Sequence, residues 1–219
     1  MGRPSRRGEL LDKGVDVLHQ RGYAAATVEG ITELVGVPKG AFFNHFGSKE
    51  AFAVEALQRY FERWQEKIST ISADTELDAI EKLRALIAAA TDNARESSYS
   101  FGCLIGNLSA ELSSEHESIR FALSDIFQHW AREFESIVEA GQKAGELTTC
   151  IRPQEAARFL VNGLQGALLR CKVDRNSTAL ADFDTIVFDL LLKPRRQVGR
   201  KLVRGRTRDQ RKRKLSSAR

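Results

Sequence analysis

Apolar residues recur three and four positions apart along almost the whole of this 219-residue chain, as in Leu11, Val15 and Leu18 and again in Ile119, Leu123, Phe127, Trp130 and Phe134. That spacing lays a stripe along one face of a helix, and no strand-like alternation bounded by turns interrupts it, so the expected fold is all-α. Punctuation divides the chain into about nine helices without internal repeats. Gly22 closes the first, Thr27 N-caps the second, and the turn Gly36-Val37-Pro38 leads to a third with proline in its first position. Ser48 caps a longer helix with Glu50 in its first turn, and Asp74 opens another that runs to about Ser98. Ser114-Glu115-His116-Glu117 reads as the capping box of a long helix ending between Gly141 and Gly145. Pro153 begins a further helix, Ser177 or Thr178 begins the last, and Pro194 stops it.

The net charge of +5 is unevenly placed. Residues 194–219 hold nine Arg and three Lys against one Asp, a local +11 that leaves −6 on residues 1–193. The expected organisation is therefore a small head over 1–50, a larger helical body over 51–193 and a basic tail over 194–219 too poor in apolar residues to order itself. No apolar run approaches the roughly 20 residues that cross a bilayer, which points to a cytoplasmic chain without a membrane partner. Cys103, Cys150 and Cys171 are odd in number and lack Cys-x-x-Cys spacing or a neighbouring His cluster, so free thiols are expected and neither a metal site nor a cofactor is implied.

Within residues 27–49, TVEGITELVGVPKGAFFNHFGSK, two short helices separated by Gly36 and Val37 can cross with Val28, Ile31, Leu34, Val37 and Phe42 on a shared core. This is helix-turn-helix geometry. Lys39, Gly40 and Ala41 stand in the first turn of the second helix and Asn44 and His45 one turn later, a slim surface able to enter a major groove. Gly40 allows close backbone approach, Lys39 supplies charge and Asn44 can pair with adenine, while the helix N-termini at Thr27 and Lys49 suit phosphate. An ordinary helical hairpin has the same periodicity.

The spacing Gly36-Val37-Pro38-Lys39-Gly40 followed by His45-Phe46-Gly47-Ser48-Lys49 resembles the signature of the TetR family over roughly residues 8–58. The resemblance implies a homodimer that binds a palindromic operator in double-stranded DNA and releases it when a small-molecule inducer occupies the body, with repression as the usual mode. Phe43 stands where the family commonly has a tyrosine that bonds a phosphate, so that contact is lost or replaced. The last two helices carry apolar stripes, and the resemblance implies a four-helix dimer interface there, formed by Phe159, Leu164, Phe183 and Val187 with Gly163 and Gly166 permitting close approach. The same stripes can instead pack inside one protomer.

Ser100-Phe101-Gly102-Cys103-Leu104-Ile105-Gly106-Asn107 places a cysteine between two glycines where the fifth helix gives way to the sixth, and a helix N-terminus favours thiolate. The segment resembles a TetR subgroup of NemR-like and acrylate-responsive repressors, in which Gly-Cys-Leu-Ile-Gly-Asn or a close variant recurs. That implies an electrophile or small unsaturated acid as inducer, Cys103 as its sensor, Arg170 and Lys172 as nearby cations, and Phe101, Trp130 and Phe134 as cavity lining. The alternative is noncovalent sensing around a structural Cys103 and core aromatics. A thiol enzyme is a remote third reading, because His19, His45, His116 and His129 are scattered without a nucleophile-base signature.

The basic tail either adds sequence-independent phosphate contacts or is a solvated extension. Phosphate contacts predict that removing residues 195–219 weakens DNA binding and flattens its dependence on salt, measured by gel shift across a salt series; an unchanged slope assigns the tail to solvent.

Overall fold

The computed structural model describes residues 6–194. Among these residues, nine α-helices follow one another: α1 (Arg6–Ala25), α2 (Val28–Val35), α3 (Lys39–Phe46), α4 (Lys49–Ala73), α5 (Ala79–Glu96), α6 (Leu104–Leu112), α7 (Glu117–Ala144), α8 (Pro153–Asp174) and α9 (Thr178–Thr185), the last continued by a π-helical stretch (Ile186–Leu191). The expected order and class hold. The basic run from residue 195 onward lies outside the described residues. No helix among the described residues is long and apolar enough to cross a membrane.

Local chemistry sets the boundaries. Thr27 Oγ1 accepts the Gly30 N–H at 3.1 Å and Ser48 Oγ the Ala51 N–H at 3.0 Å, each satisfying an amide that a helix start leaves unpaired. Gly36, at φ 69°, closes α2 in the left-handed region. Pro38 occupies the N-cap of α3, one place earlier than expected, and Lys39 is the first helical residue. Gly22 breaks α1 at φ 76° and ψ 175°, so the last residues of that helix leave its axis.

Two expected caps move. Asp74 ends α4 instead of opening α5, its carboxylate accepting the Glu76 N–H at 2.9 Å. The start of α5 is set by Asp78, which accepts the Glu81 N–H at 2.8 Å while Glu81 accepts the Asp78 N–H at 2.9 Å, a reciprocal box. Likewise His116, not Ser114, stands at the N-cap of α7, and its ring makes no capping bond.

The head packs α1, α2 and α3 against the start of α4. Ile31, Val35, Phe42 and Phe46 are buried there with Leu10, Val15 and Leu18. Leu34, expected in this core, is 61% exposed, and Val35 takes its place because the short α2 turns that face inward. At 25 residues, or about 37 Å, α4 runs from the head into the body. An expected boundary at residue 50 thus falls inside this helix, and one buried cluster continues across it. In the body, α4, α5, α7 and α8 surround the core and α9 packs along α8.

The crossing of α1 and α4 depends on Gly14. A Cβ there would lie 2.0 Å from Cζ of the fully buried Phe52, and the ring has aromatic neighbours on its other sides in Phe42 at 4.8 Å and Phe46 at 5.0 Å. Gly14→Ala is expected to lower stability by about 1–3 kcal/mol, the usual cost of overpacking a core. Urea unfolding followed by circular dichroism checks this, and adding Phe52→Leu should recover part of the loss.

Candidate functional site

Two regions bring the candidate residues together. The first is the outer face of α3. Phe42 and Phe46 anchor this eight-residue helix inward, which leaves Lys39, Gly40, Phe43, Asn44 and His45 exposed and Ala41 partly so. A Cβ at Gly40 would meet no atom within 4 Å, so the glycine leaves its surface open without serving the packing of the head. Lys39 Nζ pairs with Glu29 on α2 and lies 6.0 Å from the Phe43 ring centroid. That pairing stands at the surface, and the hydrogen bond from Lys39 draws the Glu29 carboxyl below its ordinary value.

Thr27 and Lys49 flank α3 as expected, at the first turns of α2 and α4. The Lys49 side chain has an internal task that its sequence position did not disclose. Nζ donates to the Tyr23 carbonyl at 2.6 Å and sits 4.2 Å from the Tyr23 ring centroid, and burial lowers its affinity for a proton.

The second region lies around Cys103, the N-cap of α6. A small cavity of about 20 Å³ is lined by Cys103 with Tyr60 and Trp64 of α4, Ala90 of α5, Trp130 and Phe134 of α7 and four α8 residues, among them Leu164 and Gln165. Trp130 and Phe134 both line this small cavity. Tyr60, Trp64 and Gln165 were missed; Tyr60 and Trp64, four apart, share a helix face, a signal present in the chain but without a partner to identify it. On the far side of Cys103 a groove of about 700 Å³ runs between α1, α6 and α8, lined by His19, Asn107, Glu111, Gln165 and Lys172.

Burial raises the Cys103 thiol above its ordinary pKa, and hydrogen bonds from the first turn of α6, Gln165 and Tyr60 oppose this without reversing it. The expected thiolate is therefore corrected: desolvation outweighs the helix N-terminus. The expected cations also divide. Lys172 reaches the groove, donating to Asn107 Oδ1 at 3.3 Å, whereas Arg170 lies on the outer surface paired with Asp174 at 2.5 Å. Phe101 lines a separate cleft beside His19 and Tyr60. Cys150 is exposed and Cys171 buried.

The expected interface residues need a larger correction. Leu164, Phe183 and Val187 are buried inside the protomer. Gly163 serves the α8–α9 contact within the protomer, since a Cβ there would stand 2.8 Å from the Phe183 ring. Gly166 is exposed and lines the groove. Phe159 alone among the expected side chains faces outward, at 51% exposure, and it is joined by exposed Leu169 and Val173 on α8 and by Ile186 and Leu190 beyond α9. The stripe that was read as an interface is the inward one; the outward one lies beside it.

Head and body meet through polar contacts. Glu111, in the last turn of α6, accepts the Tyr23 and Ala24 amides at 2.9 and 2.7 Å, just beyond the Gly22 break. His19 of α1 donates from Nε2 to the Gly102 carbonyl at 2.8 Å, and burial keeps its pKa low, so the ring is neutral. Glu50 of α4 takes His116 Nδ1 at 3.1 Å and the Ser118 hydroxyl. Helix α6 therefore has the cavity at its N-terminal end and meets α1 of the head at both ends, through Gly102 just before its N-cap and Glu111 in its last turn.

Comparison with known proteins agrees with this layout. Residues 10–56 match the bacterial regulatory proteins of the tetR family, and residues 79–187 match the tetracyclin repressor-like C-terminal domain. The chain is 38% identical over 192 residues to the HTH-type transcriptional repressor DhaR of Mycobacterium sp. (strain GP1), covering 88% of this chain and 95% of that one. It is 27% identical over 174 residues to the transcriptional regulator AcuR of Cereibacter sphaeroides, covering 80% of each. The crystal structure of reduced E. coli NemR superposes with a TM-score of 0.77 at 26% identity, covering 87% of this chain and 99% of that one. With both its head and its body matched, and with DhaR alike along nearly its whole length, the chain belongs to the TetR family of transcriptional regulators and is not an enzyme.

Proposed function

We propose that the chain works as a homodimeric repressor whose two α3 helices read a palindromic operator, and that a small effector entering the Cys103 cavity releases it. The outer face of α3 carries this reading: Lys39, Gly40, Ala41, Asn44 and His45 stand on one short helix held from behind by two buried phenylalanines. Lys39 exchanges Glu29 for phosphate or a guanine edge, Asn44 is placed for a base, and the amide-rich starts of α2 and α4 at Thr27 and Lys49 receive backbone phosphates. Phe43 offers an apolar surface where the family commonly offers a hydroxyl.

Phe159, Leu169, Val173, Ile186 and Leu190 form the proposed dimer face. They expose large apolar side chains on α8 and on the adjoining last helical segment, a surface that water leaves unfavourably exposed. Pairing two heads through it fixes the distance between the two α3 helices, and a change in that distance is what the effector controls. The path proposed for the change is α6, from Cys103 at one end to Glu111 at the other.

The buried, protonated Cys103 favours noncovalent sensing over capture of an electrophile. N-ethylmaleimide should therefore label Cys150 in the folded protein and reach Cys103 and Cys171 only after unfolding, as read by mass spectrometry. A Cys150→Ser protein should keep its gel shift with the gene's own upstream DNA in the presence of the reagent. Loss of the shift that Cys103→Ser prevents would restore the electrophile reading.

Leu190→Glu, which places a charge on a side chain 71% exposed in the protomer, should give a folded monomer by ultracentrifugation and abolish the gel shift. A variant that remains dimeric and binds DNA would refute the proposed face.

A further inference from the structure

Two side chains that line the Cys103 cavity each carry a buried donor that the head, the body and the α6 contacts leave unused. Trp64 and Trp130 are 9% and 6% exposed, and their indole N–H groups are buried without an acceptor in the protein. Their rings meet edge to face with centroids 4.9 Å apart, and both line the same small cavity. An indole can only donate, so neither group can satisfy the other through its nitrogen. Buried donors are paired in nearly all proteins, and two orphans in one cavity mark a place for an acceptor.

The rest of the wall defines that acceptor. The lining contains no ionised side chain; its other polar groups are the Tyr60 hydroxyl, the Gln165 amide and the Cys103 thiol. Lys172 is held in the neighbouring groove on Asn107. A carboxylate entering here would lose its hydration without gaining a cation, whereas a neutral carbonyl gives up far less. The free space, about 20 Å³, suits little more than one water-sized group. Any larger occupant therefore displaces its wall, of which Tyr60 and Gln165 are only half-buried.

We propose that Trp64 and Trp130 are the polar anchor of the effector site, and that the effector is a small uncharged molecule presenting a hydrogen-bond acceptor, of the carbonyl type, to both indole N–H groups. This rests on reading the cavity as the effector site, and it excludes a small carboxylate as the preferred occupant.

The chain has only two tryptophans, so an indole ¹⁵N–¹H spectrum of the full-length dimer reports on this cavity alone. Acetone, acetate and isobutene share one four-atom branched shape and differ in acceptor and charge, which makes them suitable probes. Acetone should move both indole proton resonances downfield in a saturable way, while acetate and isobutene at the same concentration should not. Trp64→Phe and Trp130→Phe should each retain the gel shift with upstream DNA and weaken acetone binding several-fold. An equal response to acetate or isobutene, no saturable response to acetone, or undiminished acetone binding in both Phe variants would overturn the anchor. Saturation of both indoles by acetone without release of DNA would instead refute the effector reading and leave the anchor standing, whereas acetone-driven release with both resonances unmoved would refute the anchor alone.

Discussion

The ring of Phe52, seated in the notch left by Gly14, is the contact on which the rest of the head depends. It lies where α1 crosses α4, and its other sides touch Phe42 and Phe46, the two side chains that hold α3. One aromatic group therefore fixes the crossing of the two longest head helices and the seat of the helix with the exposed Lys39-to-His45 face. Because α4 continues without interruption into the body, the orientation of α3 is tied to a rod that also supplies Tyr60 and Trp64 to the cavity. Helix α3 and the cavity thus both rest on one continuous helix.

The second tie is polar. Helix α6 is only nine residues long, yet it has Cys103 and Gly102 at one end and Glu111 at the other, and both ends touch α1. A short helix with a packed N-terminus and a hydrogen-bonded C-terminus moves as a unit or not at all, because interiors packed to crystal-like density do not deform gradually. In the proposed function, a displaced cavity wall would reach the Tyr23–Ala24 amides through this one short helix.

What was legible in the sequence was what is decided locally. Thr27 and Ser48 cap their helices because each has the needed oxygen and a free amide three residues on, and Gly36 closes α2 because only a residue tolerant of positive φ fits. Asp74 and Asp78 show the limit: both suit a helix start, and the reciprocal bond with Glu81 selects the second. Periodicity found stripes but could not say which of two neighbouring stripes faces inward, hence Leu34 and Val35 exchanged places, and Leu164, Phe183 and Val187 turned out to be core. Cys103 sits where the glycine-flanked motif placed it, but its burial, which sets the state of the thiol, comes from packing with helices distant in the chain, α4, α7 and α8 among them.

Glu111 grips the head by main-chain amides. Every amino acid except proline supplies the N–H it needs at positions 23 and 24, so the joint's demand on residue identity falls on Gly22, whose positive φ and whose closeness to the Glu111 carboxylate leave no room for a side chain. Substitutions on the outward faces of α2 and α3 leave these two amide bonds untouched. Such a connection would let a regulator acquire a new target without relearning how to respond, a modularity that rests in part on two peptide bonds.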